Sequence, residues 1–423
     1  MTAAQSQGPR VVIVGGGIIG ACCAYYLAKR GARPVLVERD EVARGASYGN
    51  AGAIVPGHTP INKPGRVVQA LRSLFNPLSP LYIAPRLDLD LIKWLWRFAR
   101  TCSMEHLRRA MDVLGPMGHL SRKLYLEFLE EERPDCAART EGYYEVYRSE
   151  KGLVAAEREA AFISTYGYRF EKLTGEELRR HEPCFKSDVL AGIYAADAIT
   201  ADPYKLTLAF VNAARRLGAQ IRQKAKANRV LTTNGSASGV QLSDGELVTG
   251  DMVIVAAGAY CKPLLRRFGL YLPLQPAKGY HIDRQYSAPG TPPLRVACLL
   301  GETLIFCTPM GEFVRFAGTL EFSGLNHEIR RPRLEQLTRG ARLYLSGLEP
   351  GPARSEWCGL RPCLPDGLPA IGPVAGVPGL WVATGHAMQG MTLGPVTGYL
   401  LAEWILDGKP SLDIAPLSPE RFR

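Results

Sequence analysis

The sequence predicts an α/β fold (α+β over the whole chain) built on a doubly wound parallel sheet, and three observations predict it. Near the N-terminus an apolar strand runs into a glycine-rich turn and an apolar helix. Further on, a buried strand follows an antiparallel meander. Near the C-terminus another strand enters a glycine-bearing turn before a long apolar helix.

Arg10–Val14 reads as the first strand, and Gly15, Gly17 and Gly20 form the spacing GxGxxG at the mouth of a helix that ends near Arg30. Val11 to Ala28 carry no charge and could pass for a signal peptide or a short membrane helix. Four glycines at the centre argue against both, so no cleaved signal and no transmembrane span are expected. Pro34–Val37 reads as the second strand and delivers Glu38, eighteen residues beyond Gly20. Gly15 permits the tight turn, Gly17 lets backbone approach a pyrophosphate, and Gly20 lets helix pack on strand. Free N–H groups at the helix start face the phosphates, while Glu38 can accept the ribose hydroxyls and repels a 2′-phosphate. The fingerprint alone leaves FAD and NAD open.

Asn234-Gly235 and Ser243-Asp244-Gly245 delimit the meander, and Asp251–Tyr260 reads as the buried strand, running into Ala257-Gly258. Gly379–Ala383 reads as the last strand. Gly385-His386 lead to Gly390, where a helix begins that Asp407-Gly408 and Pro410 end. A second strand-to-helix turn of this kind can aim a positive dipole end at a ring system.

Composition bounds the rest. At roughly 150 residues per domain, 423 residues make two or three compact units. With 46% hydrophobic and 22% charged residues the chain is neither disordered nor a polytopic membrane protein. The net charge of +11 is spread without a block of five basic residues, which excludes a nucleic-acid-binding arm. Ten cysteines in no zinc spacing predict free, mostly buried thiols in a reducing compartment, and no metal site is expected.

Several ordered segments carry a family resemblance: VVIVGGGIIG…LVER, RGASYGNAGAIVPG, LIKWLWRFARTC, AGIYAADAITADPYKL, LQPAKGYHI, WCGLRPCLPDGLPAIGP and GHAMQGMTLGPVTG. The chain resembles the glycine oxidase/D-amino-acid oxidase flavoproteins, and most closely their D-amino-acid dehydrogenase branch. The resemblance implies FAD, a Rossmann-type doubly wound domain, and an antiparallel-sheet substrate domain inserted into it. It implies cofactor contacts from Gly15, Gly17, Ile18, Ile19, Gly20, Glu38 and Arg39, and from the loop Arg44, Gly45, Ala46, Ser47, Asn50, Ala51 and Gly52. Ala227, Ala257, Gly258, Gly385, His386, Gly390, Met391 and Thr392 complete that set.

For substrate, Arg361 matches the family segment that grips a carboxylate through two parallel N–H···O bonds, which orients the α-carbon. A salt bridge to Asp366 or another acid is the structural alternative for Arg361. Tyr280, His58, Met388 and Gln389 are the other candidates. Two departures from the family make the pocket more apolar. No tyrosine stands in Thr303-Leu304-Ile305-Phe306, and Met388 replaces an arginine of some relatives. Both point to an amino acid with an apolar or cyclic side chain, such as proline or hydroxyproline, and the resemblance to the D-amino-acid dehydrogenase branch implies the D configuration. Its α-hydrogen would pass as hydride to flavin N5, yielding an imino or 2-oxo acid.

Electrons would go on to a quinone-type acceptor. An O₂-using glycine or sarcosine-type oxidase and an electron-transfer subunit of a larger complex are the alternatives. Leu87–Arg109 reads as one basic amphipathic helix with Leu91, Ile92, Leu95 and Phe98 on its apolar face. It either packs on the substrate domain or rests on an anionic membrane. A cytoplasmic protein, peripheral at the inner face of the membrane in the second case, is expected. Residues 8–60, 196–268 and 356–410 are assigned to the FAD domain. Residues 61–195, with a Pro77, Pro80 and Pro85 connection, and 269–355 are assigned to the substrate domain, and 411–423 to a loose tail.

Overall fold

The computed structural model describes residues 8–73, 76, 78–285, 293–311, 313–348 and 353–423; Pro77 of the proline-rich connection lies outside them. Six strands form the first sheet in the spatial order Ala370–Pro373, Leu380–Thr384, Met252–Val255, Arg10–Val14, Arg33–Val37, Gln220–Arg222. All neighbours run parallel except the first pair. The central strands are apolar on both faces because both faces are covered. Val11, Ile13, Leu36 and Ile254 face four helices: Ile18–Lys29, Met104–Glu132, Pro203–Arg216 and Gly390–Asp407. Val12, Val14, Val35 and Val253 face the antiparallel meander Ala227–Thr233, Ser236–Leu242, Leu247–Thr249. The meander turn has Asn234 and Gly235 at φ +50° and +81°, the left-handed pair that a two-residue hairpin needs.

Among the described residues the second sheet has nine strands. Its path runs Ser355–Cys363, Gln275–Gln285, Phe313–Phe322, Ile305–Pro309, Cys298–Leu300, Tyr143–Tyr147, Ala191–Ala195, Phe170–Thr174, with Leu81–Ile83 joined to Phe313–Phe322. The helix Arg331–Arg342 seals one face, packing Leu334, Leu337 and Ala341 against Tyr280, Ile282 and Phe316. The other face carries Arg361 and His281.

Several expectations are corrected here. Strand Ser355–Cys363 pairs with Gln275–Gln285, so the boundary placed at 356 falls inside an edge strand of the second sheet. Helix Met104–Glu132, assigned with 61–195, buries Met111, Leu114, Tyr125 and Phe128 in the helical layer of the first sheet. The expected strand 251–260 stops at Val255, and Gly258–Tyr260 is a 3₁₀ turn. Residues 411–423 are held tightly: Ile414 and Leu417 are buried, and Arg421 Nε donates to Asp366 at 2.7 Å.

The single amphipathic helix at 87–109 is two helices. Leu89–Thr101 ends at Cys102, and Ser103 caps the next by accepting from the His106 amide at 3.1 Å. Its buried stripe is Leu91, Trp94 and Phe98, with the Trp94 indole donating to the Cys363 carbonyl at 3.1 Å, whereas Ile92 points outward. All ten cysteines are free; nine are buried and Cys102 is half-buried. Among the described residues no helix is long and apolar enough to cross a membrane.

Candidate active site

The glycine turn is built by steric necessity. Gly15 sits at φ +115°, where a Cβ would lie 2.5 Å from the Ala256 carbonyl oxygen, and a Cβ on Gly20 would overlap the Gly15 carbonyl. Glu38 reaches back to the turn: Oε2 accepts the Gly16 amide at 2.7 Å and Oε1 the Asp40 amide at 3.0 Å. The buried Ser47 hydroxyl accepts the Ile18 amide at 3.0 Å, tying the 44–52 loop to the start of the first helix. Gly17 caps that helix with no side chain of its own. Ile19 is half-buried in the first turn, Ala227 opens the meander, and the Gly258 carbonyl accepts the Thr384 hydroxyl at 2.9 Å. Arg39 lies over the Tyr260 ring, 3.8 Å from its centroid. Arg44 spreads over Tyr48 and Tyr204 instead of turning inward, and Gly45 and Ala46 are exposed beside it.

Beyond Ser47 the loop is gripped by the second sheet. Arg315 donates to the Asn50 carbonyl at 3.1 Å and Thr308 to the Ala51 carbonyl at 2.6 Å; His281 Nδ1 meets the Gly49 carbonyl at 2.9 Å. Because a carbonyl only accepts, that ring nitrogen carries the proton. Burial first, and the Arg315 charge second, push the His281 pKa down to about 4, so the ring is neutral. Arg315 is locked by a two-pronged pair with Asp283 at 2.9 and 3.0 Å. Asn50 Oδ1 accepts the Gly52 amide at 2.8 Å, and Gly52 adopts φ +74°. From the other side the Thr392 hydroxyl accepts the Val55 amide at 3.0 Å.

The last helix opens at Gly390, where a Cβ would meet only the His386 Cβ, at 3.9 Å, and no side chain caps it. Pro395 removes the amide that would bond the Met391 carbonyl, and Tyr125 supplies the missing donor at 2.5 Å; Ser121 likewise bonds the Thr392 carbonyl. His386, held near pKa 3 by burial, meets the Thr397 hydroxyl at 3.0 Å. Gly385 takes φ +81°. Two helix starts whose own cap residues, Gly17 and Gln389, make no side-chain cap bond, glycines where a Cβ would obstruct, and a carboxylate beside the first turn fit the pyrophosphate, ring and ribose of a flavin dinucleotide.

Arg361 stands half-buried on the sheet face opposite the Arg331–Arg342 helix. Its Nη1 donates to the Thr319 carbonyl at 2.8 Å, and among the described residues no carboxylate lies within salt-bridge distance. Asp366 is taken by Arg421, which removes it as the salt-bridge partner of Arg361. Burial lowers the Arg361 pKa. The guanidinium lies across Gly279, where any Cβ would overlap it. The Ala387 amide donates to the Pro362 carbonyl at 3.0 Å, which brings the half-buried Met388 and the buried Gln389 beside this strand. Gln389 Nε2 in turn donates to the His58 carbonyl at 2.7 Å.

Tyr280 is not in this group. Ala277 pairs with Arg361 and Tyr280 with Cys358, which is the opposite parity, and the Tyr280 hydroxyl donates to buried Glu321 at 3.1 Å behind the sheet. Sequence reasoning missed Gly279, its neighbour in LQPAKGYHI, and also Thr308, Arg315 and Thr319. Gly279 had a visible signal, a glycine inside a strand; the others had none.

The profile of the DAO family, described as FAD dependent oxidoreductase, matches residues 10–404. A D-amino acid dehydrogenase of Methylobacterium nodulans is 31% identical over 422 residues, covering 98% of this chain and 99% of that protein. One of Xanthobacter autotrophicus is 30% identical over 420 residues, with 98% and 99% covered. Among solved structures, glycine oxidase from Geobacillus kaustophilus superposes with a TM-score of 0.76 at 22% identity, covering 98% and 99% of the two chains. L-proline dehydrogenase from P. horikoshii does so at 0.75 and 20%, with 98% of each covered; at such identities the likeness is one of fold. A profile matched across both sheets and relatives matched end to end leave one conclusion: the chain belongs to the DAO family of FAD-dependent oxidoreductases.

Proposed function

We propose that this chain is an FAD-dependent dehydrogenase that oxidises a D-amino acid with an apolar or cyclic side chain, D-proline or hydroxy-D-proline before acidic or basic ones. The observation that carries this reading is Arg361, a half-buried guanidinium whose one partner among the described residues is a carbonyl. A desolvated cation of this kind calls for an anion, and an α-carboxylate offers two oxygens in the guanidinium's own plane. When bound, FAD supplies the hydride acceptor. The chain's residues do the rest by positioning: Arg361 fixes the carboxylate, and the α-carbon is thereby set against the loop at Gly52 and the helix start at Gly390. Phe306, packed near Tyr143 and Val55, and Met388 supply apolar walls, against which a charged side chain would lose solvation without a partner. Handedness rests on the relatives named D-amino acid dehydrogenase.

A quinone-type acceptor is the companion reading, supported by an exposed stripe of Leu89, Ile92 and Trp96 flanked by Lys93 and Arg100, a surface suited to an anionic membrane. Anaerobic reduction with D-proline, cis-4-hydroxy-D-proline, D-alanine, D-glutamate and L-proline tests the substrate. The prolines of D configuration should lead in kcat/KM; L-proline or D-glutamate in first place overturns the reading. Reoxidation by a quinone dye and not by air is expected, and rapid reoxidation by air would make the chain an oxidase.

A further inference from the structure

Thr319 has three unusual properties at one position. Its backbone sits at φ +66°, a left-handed conformation that a β-branched residue rarely adopts. Its hydroxyl is buried and finds no hydrogen-bond partner among the described residues. Its carbonyl is the one acceptor of Arg361 among the described residues. The strand register explains how these coincide. Gly318 lies opposite Tyr280 and Glu321 opposite Lys278, so Thr319 and Leu320 together face the single residue Gly279. That is a bulge, the device by which a sheet re-aims a side chain, and it stands where the guanidinium crosses Gly279. A strained backbone and an unpaired buried hydroxyl are both costly, and such costs persist where they serve a ligand.

We propose that Thr319 is a second substrate-contacting residue, its hydroxyl donating to the α-carboxylate held by Arg361. The assignment rests on the carboxylate reading of Arg361 and extends it: the carbonyl of Thr319 orients the guanidinium, and the hydroxyl adds a neutral donor beside it. The clamp is therefore one bulge presenting two groups, in the part of the sheet where the Leu304–Phe306 segment brings no tyrosine.

The test uses the FAD-loaded enzyme and the variants Thr319→Val, Thr319→Ser and Arg361→Lys. Binding of benzoate, a carboxylate with no α-hydrogen to lose, is followed by its perturbation of the flavin absorbance, beside KM and kcat for the best amino acid. Thr319→Val should weaken benzoate and raise KM roughly 10- to 100-fold, as loss of a hydrogen bond to a charged group does, with kcat and FAD content little changed. Thr319→Ser should restore binding. If Thr319→Val does not fold, Thr319→Gly removes the hydroxyl while relieving the positive φ, and the same loss is expected. Benzoate binding unchanged in the hydroxyl-free variant but weakened in Arg361→Lys overturns the role of Thr319 and leaves the clamp. Binding unchanged in both overturns the clamp itself.

Discussion

Gly279 is glycine because Arg361 lies on it. A Cβ there would overlap the guanidinium, and nothing in its own backbone conformation is strained, so Gly279→Ala should fold while pushing Arg361 aside by on the order of 1 Å. A displacement of that size at the proposed carboxylate clamp is expected to lower kcat/KM by roughly 100-fold at unchanged FAD content. Steady-state kinetics beside the flavin-to-protein absorbance ratio checks it, and unchanged kinetics would show the guanidinium free to move. The buried histidines give a pH prediction. His281 and His386 titrate near 4 and 3 in the folded chain, both chiefly through burial, against an ordinary 6.5. The unfolded chain therefore binds these protons first as pH falls. Stability is whole above pH ~6.5 and is lost from there down towards the folded values, at about 1.4 kcal/mol per pH unit for each histidine. Denaturation midpoints should fall between pH 7 and 5, and less steeply in His281→Gln; a flat profile refutes the assignment.

The helices Ile18–Lys29 and Gly390–Asp407 lie almost backbone to backbone. A Cβ on Gly394 would come within 2.8 Å of Ile18, and one on Gly398 within 2.5 Å of the Cys22 carbonyl carbon. Gly398→Ala must part the first and last long helices, at a cost of about 1–3 kcal/mol, and should lower both thermal stability and FAD retention. A variant as stable and as yellow as the parent would show that the pair adjusts. The same elements mark how far local pattern reaches. The glycine fingerprint and the capping glycine at 408 were readable because they are demands of backbone geometry within a few residues. The buried face of Leu89–Thr101 was not: its period allowed Ile92 or Trp94 inward, and Trp94 wins through a hydrogen bond to Cys363 on a strand distant in sequence.

Across the whole molecule, the Trp94 side of that helix is sealed onto the second sheet and the Trp96 side is open. Trp96 is 59% exposed and Ile92 55%, beside Lys93 and Arg100. Flotation with anionic liposomes should carry the protein upward, and Trp96→Ser with Ile92→Ser should release it while leaving activity with a soluble dye intact. Binding no stronger than to neutral vesicles would make this stripe ordinary surface. Elsewhere the surface is closed by contacts no local pattern announces. Residues 411–423 look like a polar tail until Arg421 finds Asp366 and Leu417 enters the core.

The sequence by itself determined the doubly wound sheet, the dinucleotide turn with Glu38 and the family, since each is written in short spacings or in motifs of contiguous residues. Only the tertiary structure decided which side chains join Arg361. Alternation along a strand says that neighbours face opposite ways but not which way is inward, and a bulge at Thr319 shifts the count by one. Tyr280 thus turned to the back of the sheet, Gly279 and Thr319 came to the front, and His281, Arg315 and Thr308 reached the 49–52 loop from more than two hundred residues away. Such partners are chosen by register and packing between sheets, which no stretch of the chain encodes alone.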